Sequence, residues 1–82
     1  INKVVDDNSL EEETSKLASN LANGPTKAYS SVKKLLNETW TETLETQMER
    51  ETIEIAKMTQ TQDAQNGIKS FVKKEKPNFN GK

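Results

Sequence analysis

The apolar residues of this chain recur at helical intervals in four short groups, and each stripe is only three or four residues wide. Leu10, Leu17 and Leu21, flanked by Ala18 and Ala22, form the first group. Ala28, Val32, Leu35 and Leu36 form the second, Leu44, Met48, Ile55 and Ala56 the third, and Ile68, Phe71 and Val72 the fourth. Spacings of three, four and seven put such residues on one face of a helix. The predicted fold is therefore all-α, with three to four short amphipathic helices. Stripes this narrow cannot enclose a deep core, and composition points the same way. Only 30% of the 82 residues are hydrophobic, against a usual apolar share, Gly included, of roughly 45–50%. Extended disorder pairs low hydrophobicity with high net charge, whereas twelve basic and thirteen acidic residues leave a net charge of −1 here. A thin layer of helices awaiting a partner surface fits both facts. A chain of this length makes at most one small domain, marginally stable alone.

Local punctuation sets the boundaries. Ile1-Asn2-Lys3-Val4-Val5 reads as a strand end or extended lead-in, too short to be stable alone, and with the turn at Asp6, Asp7 and Asn8 it fills residues 1–8. Ser9 and Glu12 have the spacing of a capping box, with Ser9 as N-cap. Asn23-Gly24-Pro25 stops the first helix and puts Pro25 in the first turn of the second, which fades around 37–39. Thr39 or Thr41 caps the longest helix, running to about Met58, with Arg50 paired to Glu54 four residues on. Thr61 or Asp63 starts a fourth. Pro77 ends any helix before it, so residues 9–76 are the helical domain and 77–82 an irregular tail. Trp40, at a helix junction, is expected half-buried, and Met48 and Met58 are expected to fill core gaps. Gly67 is read as permitting close approach of another backbone.

Much chemistry is excluded at once. With no cysteine and no histidine, disulfides, thiolate metal sites and Ser-His or Cys-His nucleophile pairs are impossible. No catalytic and no metal-ligating residue is assigned. No apolar run approaches the roughly 20 residues that span a bilayer, no signal-peptide segment is visible, and the Gly residues build no phosphate loop. Glu42, Glu45 and Glu49 share a polar helix face and read as solvated, without the environment that shifts a catalytic carboxylate.

Charge is unevenly spread. Two lysines face five carboxylates in residues 1–26, and five lysines face one glutamate in residues 69–82. Within the basic end, Lys73-Lys74-Glu75-Lys76 is the best ligand-binding candidate. Lysine is a mobile point charge suited to phosphate oxygens, and Phe71 nearby can cover an apolar or aromatic face. As a nucleic-acid signature the run is poor, since the cluster is short and the pI is about 5.5.

Taken in order, the segments resemble the C-terminal region of the enoyl-CoA hydratase/isomerase (crotonase) family. Ile1 to Val5 resembles the handover from that family's core. Leu10 through Asn23-Gly24-Pro25, then Lys33-Lys34-Leu35-Leu36-Asn37, then Leu44 to Glu51 resemble its successive helices. Thr61 to Phe71 with Lys74, Lys76-Pro77 and Phe79-Asn80-Gly81 is the most specific stretch. The Gly-Pro-Thr step and the Asn-Gly before Phe71 are most similar to phenylacetate-type ring-epoxide isomerase relatives. The resemblance implies a parent enzyme acting on acyl-CoA thioesters, with enolate stabilisation by two backbone N–H groups. Those amides and the catalytic carboxylates would lie upstream of Ile1, leaving this segment inactive alone. The coenzyme A ester would be substrate, with no covalently bound cofactor. The helices would cover the core, aid assembly of a trimer or hexamer, and wall the coenzyme A site. Lys74 would contact the adenosine-phosphate end, with Phe71 beside it. Ile55 stands where relatives carry an aromatic residue against adenine; isoleucine can cover a ring face but cannot stack on it. Asn66 replaces a carboxylate common before the glycine.

The expected partners are thus a CoA ester, the enzyme's own core and neighbouring subunits, with neither nucleic acid nor membrane. The expected location is cytoplasmic, or the mitochondrial matrix in a eukaryote. The competing expectation is a stand-alone helical module that binds a protein partner through its apolar stripes. A weaker one is nucleic-acid binding through the basic tail, which salt would quickly reverse.

Overall fold

Helix ends depend on single residues, and here they sort the competing caps. In the computed structural model, which describes residues 1–82, four α-helices follow one another: α1 Leu10–Ala22, α2 Thr26–Glu38, α3 Leu44–Thr59 and α4 Gln62–Lys73. Short 3₁₀ turns at Asp7–Ser9 and Thr39–Thr41 precede α1 and follow α2. There is no strand, and the all-α reading holds.

The expected capping box at Ser9 does not form. A capping side chain needs extended backbone, but Ser9 is already helical at φ −101°, ψ −6° and makes no capping bond. The 3₁₀ turn has moved the last extended residue back to Asp6, whose carbonyl accepts the Ser9 N–H at 2.9 Å. Pro25 precedes α2 rather than entering its first turn, and its carbonyl accepts the Tyr29 N–H at 3.1 Å. Neither Thr39 nor Thr41 caps α3. Both hydroxyls donate backwards, to the carbonyls of Leu35 at 2.8 Å and Glu38 at 3.1 Å. Thr43, extended at φ −72°, ψ 160°, is the cap and accepts the Thr46 N–H at 3.2 Å. Of the two candidates for α4, Thr61 takes the role and accepts the Ala64 N–H at 3.1 Å.

Packing is polar inside and apolar outside. No hydrophobic side chain is buried; the buried residues are Gly24, Ser31, Glu54 and Asp63. Trp40, expected half-buried, is 92% exposed, and Met48 is exposed rather than filling a core gap, with Met58 half-buried. The reason is shape. The chain forms a slab of 46 × 38 × 19 Å with a radius of gyration of 16.1 Å. A compact domain of this length would have about 12 Å. At 19 Å the slab is thinner than two side-chain-clad helices, each roughly 10–12 Å across. A single layer has no interior in which a tryptophan or methionine can hide.

Polar locks fix α2 against α3. Glu54 of α3 accepts the Ser31 hydroxyl at 2.7 Å and pairs with Lys34 and Lys57, both at 3.3 Å. The expected Arg50–Glu54 pair is replaced. Arg50 reaches Glu38 at 2.8 Å and Glu42 at 3.0 Å, because Glu54 faces the middle of α2 while Arg50 faces its end and the following turn. Glu42 is therefore half-buried in an ion pair, while Glu45 and Glu49 are exposed. Gln47 adds a carboxamide bridge to the Leu35 carbonyl and the Thr39 hydroxyl, at 3.2 and 3.1 Å. At the α1–α2 step the Tyr29 ring covers Gly24 so closely that a Cβ there would lie 2.6 Å from ring Cε2.

Candidate anion-binding site

α4 ends on an unusual residue. Lys74 takes the left-handed conformation, φ 57°, ψ 38°, and is the only non-glycine residue with positive φ. Glycine is the usual occupant there because a Cβ crowds the backbone. The geometry is a Schellman ending: the Glu75 N–H donates to the Ser70 carbonyl at 2.8 Å and the Lys74 N–H to the Phe71 carbonyl at 3.1 Å. Lys73, Lys74 and Lys76 all stand exposed at the negative end of the α4 dipole. Phe71 is 84% exposed, one turn back from Lys74 on the same helix end. These two are brought together. Ile55 stands apart on α3, 65% exposed, and none of the three lines the clefts beside the lead-in, between α2 and α4 or between α2 and α3. The turn is thus an open surface on which three lysines outnumber Glu75, with the exposed Phe71 at the same helix end, an arrangement suited to binding an anion.

The perturbed acid is elsewhere. Glu54 is pulled down to about 2, first by the Ser31 hydroxyl bond and then by Lys34 and Lys57, against the opposing effect of burial. A carboxylate so strongly held as an anion is a poor general base and a good clamp. Glu13 is lowered by its hydrogen bond and charge pairing with Lys3, at 2.6 Å, which ties the lead-in to α1. No group of three or more acidic, histidine or cysteine side chains is placed to hold a metal ion.

The tail, expected to be irregular over 77–82, is pinned in the structure. Asp63, 2% exposed, accepts the backbone N–H groups of Asn80 at 2.8 Å and Gly81 at 2.9 Å, one on each oxygen. Its own N–H donates to the Lys82 carbonyl at 3.0 Å. Phe79 lies over Gly67, where an added Cβ would meet ring Cε1 at 3.4 Å. Gly67 does permit close packing, but against an aromatic ring of the tail and not a backbone. Sequence reading missed Asp63 as anything but a helix start, since its partners lie 17 and 18 residues away. The one available signal was Phe79, an aromatic residue in an otherwise polar tail.

Over its whole length, residues 1–82, the chain matches the family model described as enoyl-CoA hydratase/isomerase. The chain belongs to the enoyl-CoA hydratase/isomerase family. It is 34% identical over 80 residues to 1,2-epoxyphenylacetyl-CoA isomerase of Escherichia coli (strain K12), covering 98% of this chain and 30% of that protein. Among solved structures, an enoyl-CoA hydratase/isomerase from Mycobacterium abscessus superposes with a TM-score of 0.96 at 33% identity. An enoyl-CoA hydratase from Geobacillus kaustophilus HTA426 does so at 0.91 and 27%. Both are matched along 100% of this chain but over only 32% and 31% of their own lengths. The four-helix slab is thus a recurring part of larger members of the family.

Proposed function

We propose that this chain is the C-terminal helical portion of an acyl-CoA hydratase or isomerase, covering the catalytic core and one wall of the coenzyme A site. The observation that carries this reading is the absence of any buried hydrophobic side chain beside sixteen exposed large ones. Soluble proteins rarely leave extended apolar faces open, and each exposed large side chain gains about 1.5–3 kcal/mol on full burial. One face would take the core, and a second would take a neighbouring subunit. A stand-alone interaction module would share the exposed stripes, but it offers no reason for a family match along all 82 residues.

In this reading Lys74 meets the phosphates at the nucleotide end of coenzyme A, Phe71 packs beside them, and Ile55 covers a face of the adenine. No residue here carries the reaction; the oxyanion-stabilising amides and acid–base carboxylates belong to the core. Lys74 then contributes binding that is equal in ground and transition states, which alters KM and leaves kcat alone. In the complete enzyme, Lys74→Ala should raise KM for CoA esters by about five- to tenfold, the loss of one exposed charge-assisted hydrogen bond of roughly 1–1.4 kcal/mol. A large fall in kcat at unchanged KM would count against this placement of Lys74.

A further inference from the structure

The last nine residues run back along α4 instead of leaving it. The chain reverses at Lys74, passes Phe79 over Gly67, and delivers the Asn80 and Gly81 N–H groups to the Asp63 carboxylate at the other end of the helix. Gly81 has φ 77°, a left-handed backbone that suits glycine, and a Cβ added there would lie 3.0 Å from the Thr26 hydroxyl at the start of α2. The Asn80 carboxamide adds a bond to Gln62 at 3.3 Å. Both ends of this strap are therefore fastened: one by the Schellman ending, the other by Asp63.

Its length matters. From Asp63 to Lys74 the helix rises roughly 16 Å, at 1.5 Å per residue. The six steps from Lys74 to Asn80 reach at most about 20–22 Å when fully extended. Some of that reach goes to crossing sideways onto Gly67 and Asp63, so little slack remains. A strap this short, fastened at Asp63, limits how far the turn at its other end can move.

We propose that Asp63 is a positioning residue for the basic turn: by latching the strap it fixes where Lys74 and Lys76 stand, and so sets their affinity for a polyphosphate. The inference rests on the anion-binding role of Lys74 argued above. Electrostatics alone demands the opposite sign. Removing the Asp63 charge takes a negative group away from an anion site, and at roughly 16 Å, beyond the Debye length of about 8 Å in physiological salt, its direct effect is slight. Coulomb's law therefore predicts unchanged or tighter anion binding in Asp63→Asn, and positioning predicts weaker binding.

The probe is adenosine 3′,5′-bisphosphate, titrated into the complete protein well below its unfolding temperature, with amide exchange followed at Asn80 and Gly81. Asp63→Asn retains one acceptor and presents an N–H₂ to the other donor. It should speed exchange of those two amides at least tenfold and weaken the probe by about three- to tenfold. Asn80→Pro leaves Asp63 and every helix untouched and removes the residue-80 N–H together with the carboxamide bonds to Gln62 and Lys82; it should speed exchange at Gly81 and weaken the probe likewise, and it serves if Asp63→Asn does not fold. Lys74→Ala is run in parallel. Unchanged exchange at Gly81 in both variants overturns the latch. Faster exchange with unchanged affinity, while Lys74→Ala does lose affinity, overturns the positioning role and leaves the role of Lys74 intact. If Lys74→Ala binds the probe as tightly as the parent protein, the anion-site reading fails and this inference fails with it.

Discussion

Lys74 holds a position that backbone sterics would give to glycine, so two substitutions there separate conformation from charge. Lys74→Ala removes the ammonium and keeps the Cβ. Lys74→Gly removes both. A left-handed residue with a Cβ costs roughly 1–2 kcal/mol, and glycine gives back about 0.5–1 kcal/mol through its greater freedom in the unfolded chain. The difference between the two variants should therefore be near 1 kcal/mol in favour of glycine, about a fivefold change in the folding equilibrium. Denaturant unfolding, with midpoints compared at constant slope, reads this directly. The expected order of stability is Gly above Lys, with Ala close to Lys. The expected order of affinity for a CoA ester is different: Lys above both, with Gly and Ala alike. Equal stability of the Ala and Gly variants would mean that the left-handed turn is not kept in solution, and the argument from strain would collapse. Full affinity in Lys74→Gly would show that the strained side chain serves no ligand.

Three further outcomes follow from the same geometry. Glu54 has its folded pKa lowered to about 2, so its contribution to stability is complete above the unfolded value near 4.5 and is lost as pH falls toward 2. Unfolding followed by circular dichroism between pH 6 and 2 should show this slope, and Glu54→Gln should flatten it. Gly24→Ala brings a Cβ to 2.6 Å from the Tyr29 ring and should cost about 1–3 kcal/mol through overpacking. Adding Tyr29→Ala should recover most of that loss, and additive losses in a double-mutant cycle would show that the two do not collide. Gly67→Ala meets Phe79 only at ordinary contact distance, 3.4 Å, so the helix-propensity gain of up to about 1 kcal/mol should dominate; a net loss of stability in urea melts would mean that the ring cannot shift.

Helix existence was legible in the sequence because its signals are local. Asn23-Gly24-Pro25 interrupts α1 and α2 where the stripes predict, and the period of Ile68, Phe71 and Val72 marks α4. Caps were legible only as a short menu. For α3 the menu of Thr39 or Thr41 left out Thr43, which is chemically the same; which hydroxyl accepts an N–H depends on which residue is extended. Ser9 lost its role to a 3₁₀ turn that no capping pattern encodes. The basic run marked Lys74, but neither its left-handed backbone nor the Asp63 latch can be read from spacing. One depends on where the helix stops to the residue, the other on a contact 17 residues distant. The burial of Trp40 and Met48 failed for a different reason. An apolar stripe shows which face seeks cover, and says nothing about whether the same chain supplies it.

The division between polar interior and apolar exterior has a physical consequence for how such a layer is held. Ser31, Glu54 and Asp63 are its buried polar groups, and each is satisfied by a partner on another element. Breaking one member of a buried polar set costs more than the set contributes when whole, because the remaining group is left desolvated and unpaired. Such contacts therefore penalise wrong arrangements more strongly than they reward the right one. Lys34 and Lys57 are themselves more than half exposed, so solvent screening limits what their pairing with Glu54 adds to stability. The Ser31–Glu54 lock sets the register of α2 against α3, and Asp63 holds the tail on α4, while the apolar stripes stay exposed and add little burial energy. On the function proposed above, a slab built this way would meet its covering surface already in shape, with little conformational entropy left to lose on docking.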